Sequence, residues 1–332
     1  MKIAIVKLSA LGDIVHAMVV LQFIKKYNQA IEVDWIVEER YRELLESNPN
    51  INKVHLVNIK QFKEKNTLYL LYKELRRVRY FGPYDMVIDM QSLIKSAIIS
   101  RLIPSRVTLG FERFSAREGL ASLFYNKKFK YGYDENVIER NVGLISFAFG
   151  FNVSKQDIRC KSPFLFSNNK YVNSNLSSVK KNILLIPGAS HKSKCYPVSK
   201  LAELTTLIDA NFLTIWGNQK EKIMAEELKV QAPCVIVWDK ISIDSLKLLI
   251  SKVDLVIGPD TGPTHIAWAL NIASITLFGP TPGYRNSYHT SINRCIESKS
   301  NVNPYKIDKN DNSIKDIDLI DIVKVSQELL DK

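Results

Sequence analysis

Residues able to do chemistry collect in five short stretches of this chain. The densest is Gly258-Pro259-Asp260-Thr261-Gly262-Pro263-Thr264-His265, which follows one apolar run and precedes another. It reads as a turn from a strand into a helix. Gly and Pro hold the turn, and Asp260 and Thr261 cap the helix. The free N–H groups of the first turn, with the positive end of the helix dipole, make an anion site; the alternative is an ordinary capped junction. His191-Lys192-Ser193-Lys194 follows Pro187-Gly188-Ala189-Ser190, a small-residue loop with two lysines. It either holds a phosphate or is a solvated charge run. Glu221 opens a helix after Trp216-Gly217. It is either a favourable first-turn acid or an acceptor for a ribose hydroxyl. In Leu8-Ser9-Ala10-Leu11-Gly12-Asp13-Ile14, Asp13 is either a helix cap or a general base. His16, three residues on and on the same helical face, is either a packed histidine or a reactant. The fifth stretch is Gln91–Lys95. Neither GxGxxG nor GxxxxGK[ST] occurs, which excludes the dinucleotide fingerprint and the P-loop.

All five stretches follow predicted strands. Strand and helix alternate from Lys2–Leu8 (strand) and Asp13–Tyr27 (helix) to Asp85–Met90 (strand) and Ser92–Leu102 (helix). The pattern blurs between about 105 and 165. A polar stretch at Asn168–Lys181 reads as a linker, and alternation resumes from Asn182–Ile186 to the strand Ile272–Phe278. Ile314–Leu330 reads as a closing helix. Such alternation means parallel sheets covered on both faces, with ligands outside the carboxyl ends of the strands.

The 332 residues suggest two domains, enough to bury a core without disulfide or metal. With 46% apolar and 24% charged residues, the composition is that of a globular protein, not a disordered or coiled-coil one. Lys and Arg number 46 against 34 Asp and Glu, a net charge of +12. The segment Lys60–Lys130 carries 15 of the former and 6 of the latter, a net of +9. This basicity calls for an acidic partner: phosphorylated small molecules, an anionic membrane or nucleic acid. No nucleic-acid-binding signature accompanies it, so nucleic acid is not expected. Four separated cysteines suggest reduced thiols in the cytosol. The dispersed histidines, and an Asp316-x-Asp318 string remote from the loops, give no metal cluster. A signal peptide and a membrane-spanning run are both lacking, so any membrane is met from outside the lipid.

Read in order, several segments together resemble the lipopolysaccharide heptosyltransferases. They are Ile5-Val6-Lys7…Gly12-Asp13-Ile14-Val15-His16, Asp34-Trp35-Ile36-Val37-Glu38-Glu39, Asp85–Ser96, Asp260-Thr261-Gly262…His265 and Phe278-Gly279-Pro280-Thr281. Ala116-Arg117-Glu118…Ala121-Ser122-Leu123-Phe124-Tyr125-Asn126 resembles the type I members in particular. The resemblance implies an α/β GT-B fold, two Rossmann-like doubly wound domains facing a central cleft. Residues 1–165 would bind acceptor and 166–312 would bind donor, with a C-terminal helix, 313–332, packing back on the N-terminal domain.

The resemblance also implies an inverting transfer from ADP-L-glycero-β-D-manno-heptose to the Kdo of Kdo-lipid A, forming an α-1,5 linkage in inner-core lipopolysaccharide synthesis. No metal or other cofactor is expected. The setting would be the cytoplasmic face of the inner membrane, with peripheral attachment. Asp13 would be the catalytic base, and Lys194 the lysine near the departing diphosphate. Ser190, Glu221, Asp260, Thr261, Gly262 and His265 would hold the donor. Lys60, Lys63, Arg117, Gln91 and Lys95 would lie on the acceptor side. A type II or other member with a different acceptor is the alternative, and a non-catalytic sugar-nucleotide or anionic-lipid-binding module the more distant one.

Overall fold

The computed structural model describes residues 1–58, 68–170 and 175–331. The chain divides into two units, Met1–Phe164 and Leu165–Lys332. In the first, the strands are β1 (Lys2–Val6), β2 (Glu32–Glu38), β3 (Lys53–Val57), β4 (Tyr84–Asp89), β5 (Ser105–Phe111) and β6 (Lys127–Phe129). They form one parallel sheet in the order β3-β2-β1-β4-β5-β6. Ile3, Ala4, Ile5 and Val6 of β1 are fully buried, because a central parallel strand is covered on both faces. The order reverses between β1 and β4, so the loops leaving these two strands diverge and open a crevice at their carboxyl ends.

The second unit repeats the plan. Its strands are β7 (Asn182–Leu185), β8 (Asn211–Thr214), β9 (Ile236–Val237), β10 (Leu255–Pro259), β11 (Ala273–Phe278) and β12 (Asn293–Glu297). Their order is β12-β11-β10-β7-β8-β9, all parallel, with the reversal between β7 and β10. Ile183, Leu185, Phe212, Leu255 and Leu277 lie in one buried cluster with Ile314, Leu319, Ile322 and Leu329. The terminal helix Leu319–Leu330 is therefore part of the core of the second unit. Its apolar stripe is spent on the β10–β11 side of the second sheet.

Two differences from the sequence reading concern element bounds. The Asp13–Tyr27 stretch is two helices, Leu11–Met18 and Val20–Tyr27. The blurred region contains β5, β6 and the helix Val137–Phe149, whose first turn is capped by Asn136 accepting the Ile138 and Glu139 N–H groups. β6 and β12 escaped notice because each is a sheet edge, short and partly polar, with only one neighbour to demand an apolar pattern.

Asp34 anchors the first sheet through a buried polar network. Its carboxylate accepts from Tyr84 Oη at 2.7 Å and Asn52 Nδ2 at 2.8 Å, and His55 Nε2 lies 3.3 Å away. Lys2 Nζ stands at 3.5 Å. Burial works against the charged form, but the hydrogen bonds from His55, Asn52 and Tyr84 and the charge of Lys2 outweigh it. They hold the carboxyl well below the usual carboxylate range. A pKa depressed in the folded state adds stability that is complete above the unfolded value of 3.8 and is lost as pH falls toward the folded value. Asp34→Asn should therefore lower stability at pH 7 by about 2 kcal/mol, the cost of disrupting buried hydrogen bonds. The gap to the parent should narrow in denaturant titrations as the pH falls below about 4. A gap independent of pH would mean that the charge of Asp34 plays no part.

Candidate active site

At the reversal point of the second sheet, three loops converge on one carboxylate. Asp260, immediately after β10, is buried; its Oδ2 accepts from Lys194 Nζ at 2.8 Å, Thr281 Oγ1 at 3.0 Å and Asn286 Nδ2 at 3.4 Å. Its Oδ1 lies 3.0 Å from His265 Nε2. Desolvation pushes against ionisation here, yet the Lys194 ammonium and the His265 ring outweigh it and hold Asp260 far below the carboxylate range. Lys194 reaches Asp260 because Lys192–Lys194 forms a single 3-10 turn after β7, closed by Lys194 N–H donating to the His191 carbonyl at 3.0 Å. The two lysines do not form one uniform charge run: Lys192 is exposed, whereas the Lys194 side chain is 11% exposed.

Beside this cluster the helix Gly262–Ala269 begins. The Thr261 N–H donates to Thr264 Oγ1 at 3.4 Å, and that hydroxyl donates back to the Thr261 carbonyl at 2.7 Å. Gly262 is half-buried in the first turn, where backbone donors and the helix dipole favour an anion. Glu221 sits in the first turn of the helix Gln219–Gln231, its Oε2 accepting the Gly217 N–H at 2.7 Å. Its stem lies against Gly188, where a Cβ would come within 2.4 Å of Glu221 Cγ, so the loop after β7 must carry glycine there. Ser190 is exposed on the same loop.

The reversal point of the first sheet gathers a second set. Gln91 Oε1 accepts the N–H groups of Leu8 at 3.1 Å and Ser9 at 3.2 Å, tying the loop after β1 to the loop after β4. Lys7, buried at the end of β1, donates to the Met90 carbonyl at 3.0 Å. Burial pushes its ammonium down; Asp13 and Asp89 oppose that shift, while Arg140 and Arg117 add to it. Asp13 and Arg117 thus share one electrostatic neighbourhood. Asp13, half-buried in the helix Leu11–Met18, accepts the Ala10 N–H through Oδ2 at 3.2 Å. Its Oδ1 accepts no hydrogen bond among the described residues. The cap and the available oxygen coexist on one side chain.

Asp89 closes β4. It accepts the Gln91 and Ser92 N–H groups at 2.8 and 3.1 Å, Ser96 Oγ at 2.8 Å and Tyr125 Oη at 2.7 Å. Here burial prevails and raises the pKa, because every donor is neutral.

The structure groups the sequence-predicted residues unevenly. Lys194, Asp260 and His265 are in direct contact, with Thr261 and Gly262 following Asp260 and Glu221 on the neighbouring loop. Asp13, Gln91 and Arg117 lie at the carboxyl end of the first sheet. Gln91 is a tether for the Asp13 loop, and Lys95 donates to Glu38 Oε1 at 3.1 Å, a carboxylate that Arg40 also engages at 2.8 Å. Arg117 is exposed and has no ion pair among the described residues. Lys60 and Lys63 lie outside the described residues. Sequence reasoning passed over Asn286, Lys7, Asp89 and Arg140. A lysine ending a wholly apolar strand was the one signal that could have exposed Lys7. Asn286 carried none, since only folding brings it to Asp260.

The described residues hold no group of three or more His, Cys, Asp or Glu placed to bind a metal, and no helix long and apolar enough to cross a membrane. The family model for glycosyltransferase family 9 (heptosyltransferase) matches residues 68–312. A lipopolysaccharide heptosyltransferase 1 of Campylobacter coli is 40% identical over 99% of this chain and 99% of its own. The lipopolysaccharide heptosyltransferase 1 of Escherichia coli K12 is 27% identical over 91% and 95%. A solved structure of E. coli heptosyltransferase WaaC with ADP superposes with a TM-score of 0.80 at 23% identity, over 99% of this chain and 100% of that one. With the doubly wound fold of both units, and with the family model spanning most of the chain, the conclusion is direct: this chain belongs to glycosyltransferase family 9, the heptosyltransferases.

Proposed function

We propose that this glycosyltransferase moves L-glycero-D-manno-heptose from ADP-heptose to the Kdo of Kdo-lipid A, with inversion to an α-1,5 linkage, as a step of inner-core lipopolysaccharide synthesis. The observation that carries the reading is the Asp260 cluster beside the Gly262–Ala269 helix N-terminus, in a chain 40% identical to a lipopolysaccharide heptosyltransferase 1. A diphosphate leaving group needs positive charge that strengthens as the glycosidic bond breaks. Lys194 and the helix dipole supply it without a metal. Asp260, held ionised, orients Lys194 and His265. Glu221 accepts from a hydroxyl of the nucleotide, Ser190 donates to a phosphate oxygen, and Thr261 and Gly262 offer the first-turn backbone.

On the acceptor side, Asp13 takes the proton of the attacking hydroxyl through its available oxygen. Inversion in one step requires that base on the face opposite the departing ADP, and the transition state carries oxocarbenium character. Arg117, Lys60, Lys63, Lys95 and Gln91 belong to the acceptor side. There the net +9 of Lys60–Lys130 suits the carboxylates and phosphates of Kdo-lipid A at the cytoplasmic face of the inner membrane.

Incubation with ADP-heptose and Kdo-lipid A should release ADP and add one heptose to the acceptor mass, and EDTA should leave the rate unchanged. Turnover only with an acceptor that already bears heptose would assign the chain to the type II activity. Turnover abolished by EDTA and restored by magnesium would overturn metal independence.

Lys194→Ala removes one partner of a buried ion pair, so it should destabilise by about 3–5 kcal/mol. It should also lower turnover at least 100-fold. Adding Asp260→Asn removes the stranded charge and should recover most of the stability but not the turnover. Recovery of both, measured by denaturant melts and ADP release, would make the pair purely structural.

Asp13→Asn keeps an oxygen for the Ala10 N–H, and so should melt like the parent and bind ADP-heptose normally. Its turnover should fall about 10²–10⁴-fold, the usual contribution of a general base. An active variant would shift the proton-accepting role to His16.

A further inference from the structure

In the first unit, the loop after β5 presents an anchored apolar protrusion flanked by three cations, with Glu118 the exposed acid beside them, its Oε2 accepting the Ile94 N–H at 2.7 Å. Phe114 is 84% exposed, Leu120 58% and Leu123 74%. Leu120 and Leu123 lie on the 3-10 helix Gly119–Phe124, where residues three apart are eclipsed, so the two leucines share one outward face. The opposite face is buried: Ala121 packs with Ala97 and Tyr125. The turn that carries Phe114 abuts this helix, since a Cβ on Gly119 would lie 2.9 Å from the Arg113 carbonyl oxygen.

The protrusion is firmly held. The Ala116 N–H donates to the Glu112 carbonyl at 2.8 Å, and Arg140 donates to the carbonyls of Ser115 at 2.7 Å and Tyr131 at 2.8 Å. The Tyr131 N–H donates to Ser115 Oγ at 2.9 Å, which brings Lys130 alongside. Arg113, Arg117 and Lys130 are all exposed, and none has a carboxylate partner at ion-pair distance among the described residues.

Single exposed apolar residues are ordinary on protein surfaces. Three in ten residues, on an anchored loop and flanked by three cations, form an interaction surface. We propose that residues 113–124 dock on an anionic lipid bilayer, with Phe114, Leu120 and Leu123 entering the boundary between headgroups and acyl chains. Arg113, Arg117 and Lys130 then meet lipid phosphates. Apolar tips beside cations match the depth profile of such a surface, acyl carbon below and phosphate above. A second copy of the chain suits the surface poorly, because it sets Arg113, Arg117 and Lys130 against their own counterparts. The inference deepens the membrane placement in the function proposed above. It is tested on vesicles that contain no acceptor, so that it stands or fails apart from heptose transfer.

The test compares phosphatidylglycerol with phosphatidylcholine vesicles by co-sedimentation. The parent should bind the anionic vesicles and keep part of that binding at about 1 M salt, where the Debye length is only about 3 Å. The triple variant Phe114→Ser, Leu120→Ser and Leu123→Ser, which keeps every charge, should partition at least tenfold less and lose all binding at high salt. Its turnover on a water-soluble acceptor stripped of acyl chains should match the parent's. Separately, the indole of Phe114→Trp should be quenched by brominated acyl chains. Equal partitioning of parent and triple variant, absence of that quenching, or a parent dimer that the triple variant dissociates would each overturn the proposal.

Discussion

A carboxylate buried with almost no access to water must be compensated or it will not stay charged, and that requirement organises the second unit. Asp260 draws Lys194 from the loop after β7, His265 from its own helix, Thr281 from the loop after β11 and Asn286 from the short helix Gly283–Asn286. Lys194, His265 and the Thr281–Asn286 pair are too far apart in sequence to fix one another. Their common acceptor sets the spacing of the loops around the helix N-terminus, where an anion is favoured. The arrangement of these loops hangs on one ion and its partners.

The first unit solves a parallel problem differently. Asp89 ends β4, the fourth strand of its sheet, as Asp260 follows β10, the fourth strand of the other. Both carboxylates receive donors from several loops. Those around Asp89 are hydroxyls and backbone amides, and its pKa rises; those around Asp260 include a cation, and its pKa falls. The same position in the same fold thus serves as a loop organiser in one unit and as a fixed negative charge in the other. Placing Lys194 against that fixed charge keeps the ammonium oriented without a titrating partner near neutral pH.

Much of this was legible in the residues. Uninterrupted apolar runs such as Ile3–Val6 announced parallel strands, and Gly-Pro-Asp-Thr-Gly-Pro announced a strand-to-helix turn, because each pattern has a local physical cause. β6 and β12 were not legible, since an edge strand of three or five residues need not be apolar. The partition of the basic residues was hidden as well. Whether Lys95 offers its charge outward or spends it on Glu38, 57 positions away, depends on how β2 and β4 line up in the sheet. Asn286 and Gln91 acquire their meaning only through partners more than twenty residues distant.

The Gln91 tether has a corollary for acidity. One side-chain carbonyl holds two successive amides of the loop that delivers Asp13. A carboxylate in that position would grip the same amides more strongly when ionised and loosen when protonated, so the posture of the loop would drift with acidity. An amide does not titrate. The two hydrogen bonds that hold the Asp13 loop to the loop after β4 therefore do not change with the protonation of the group that accepts them.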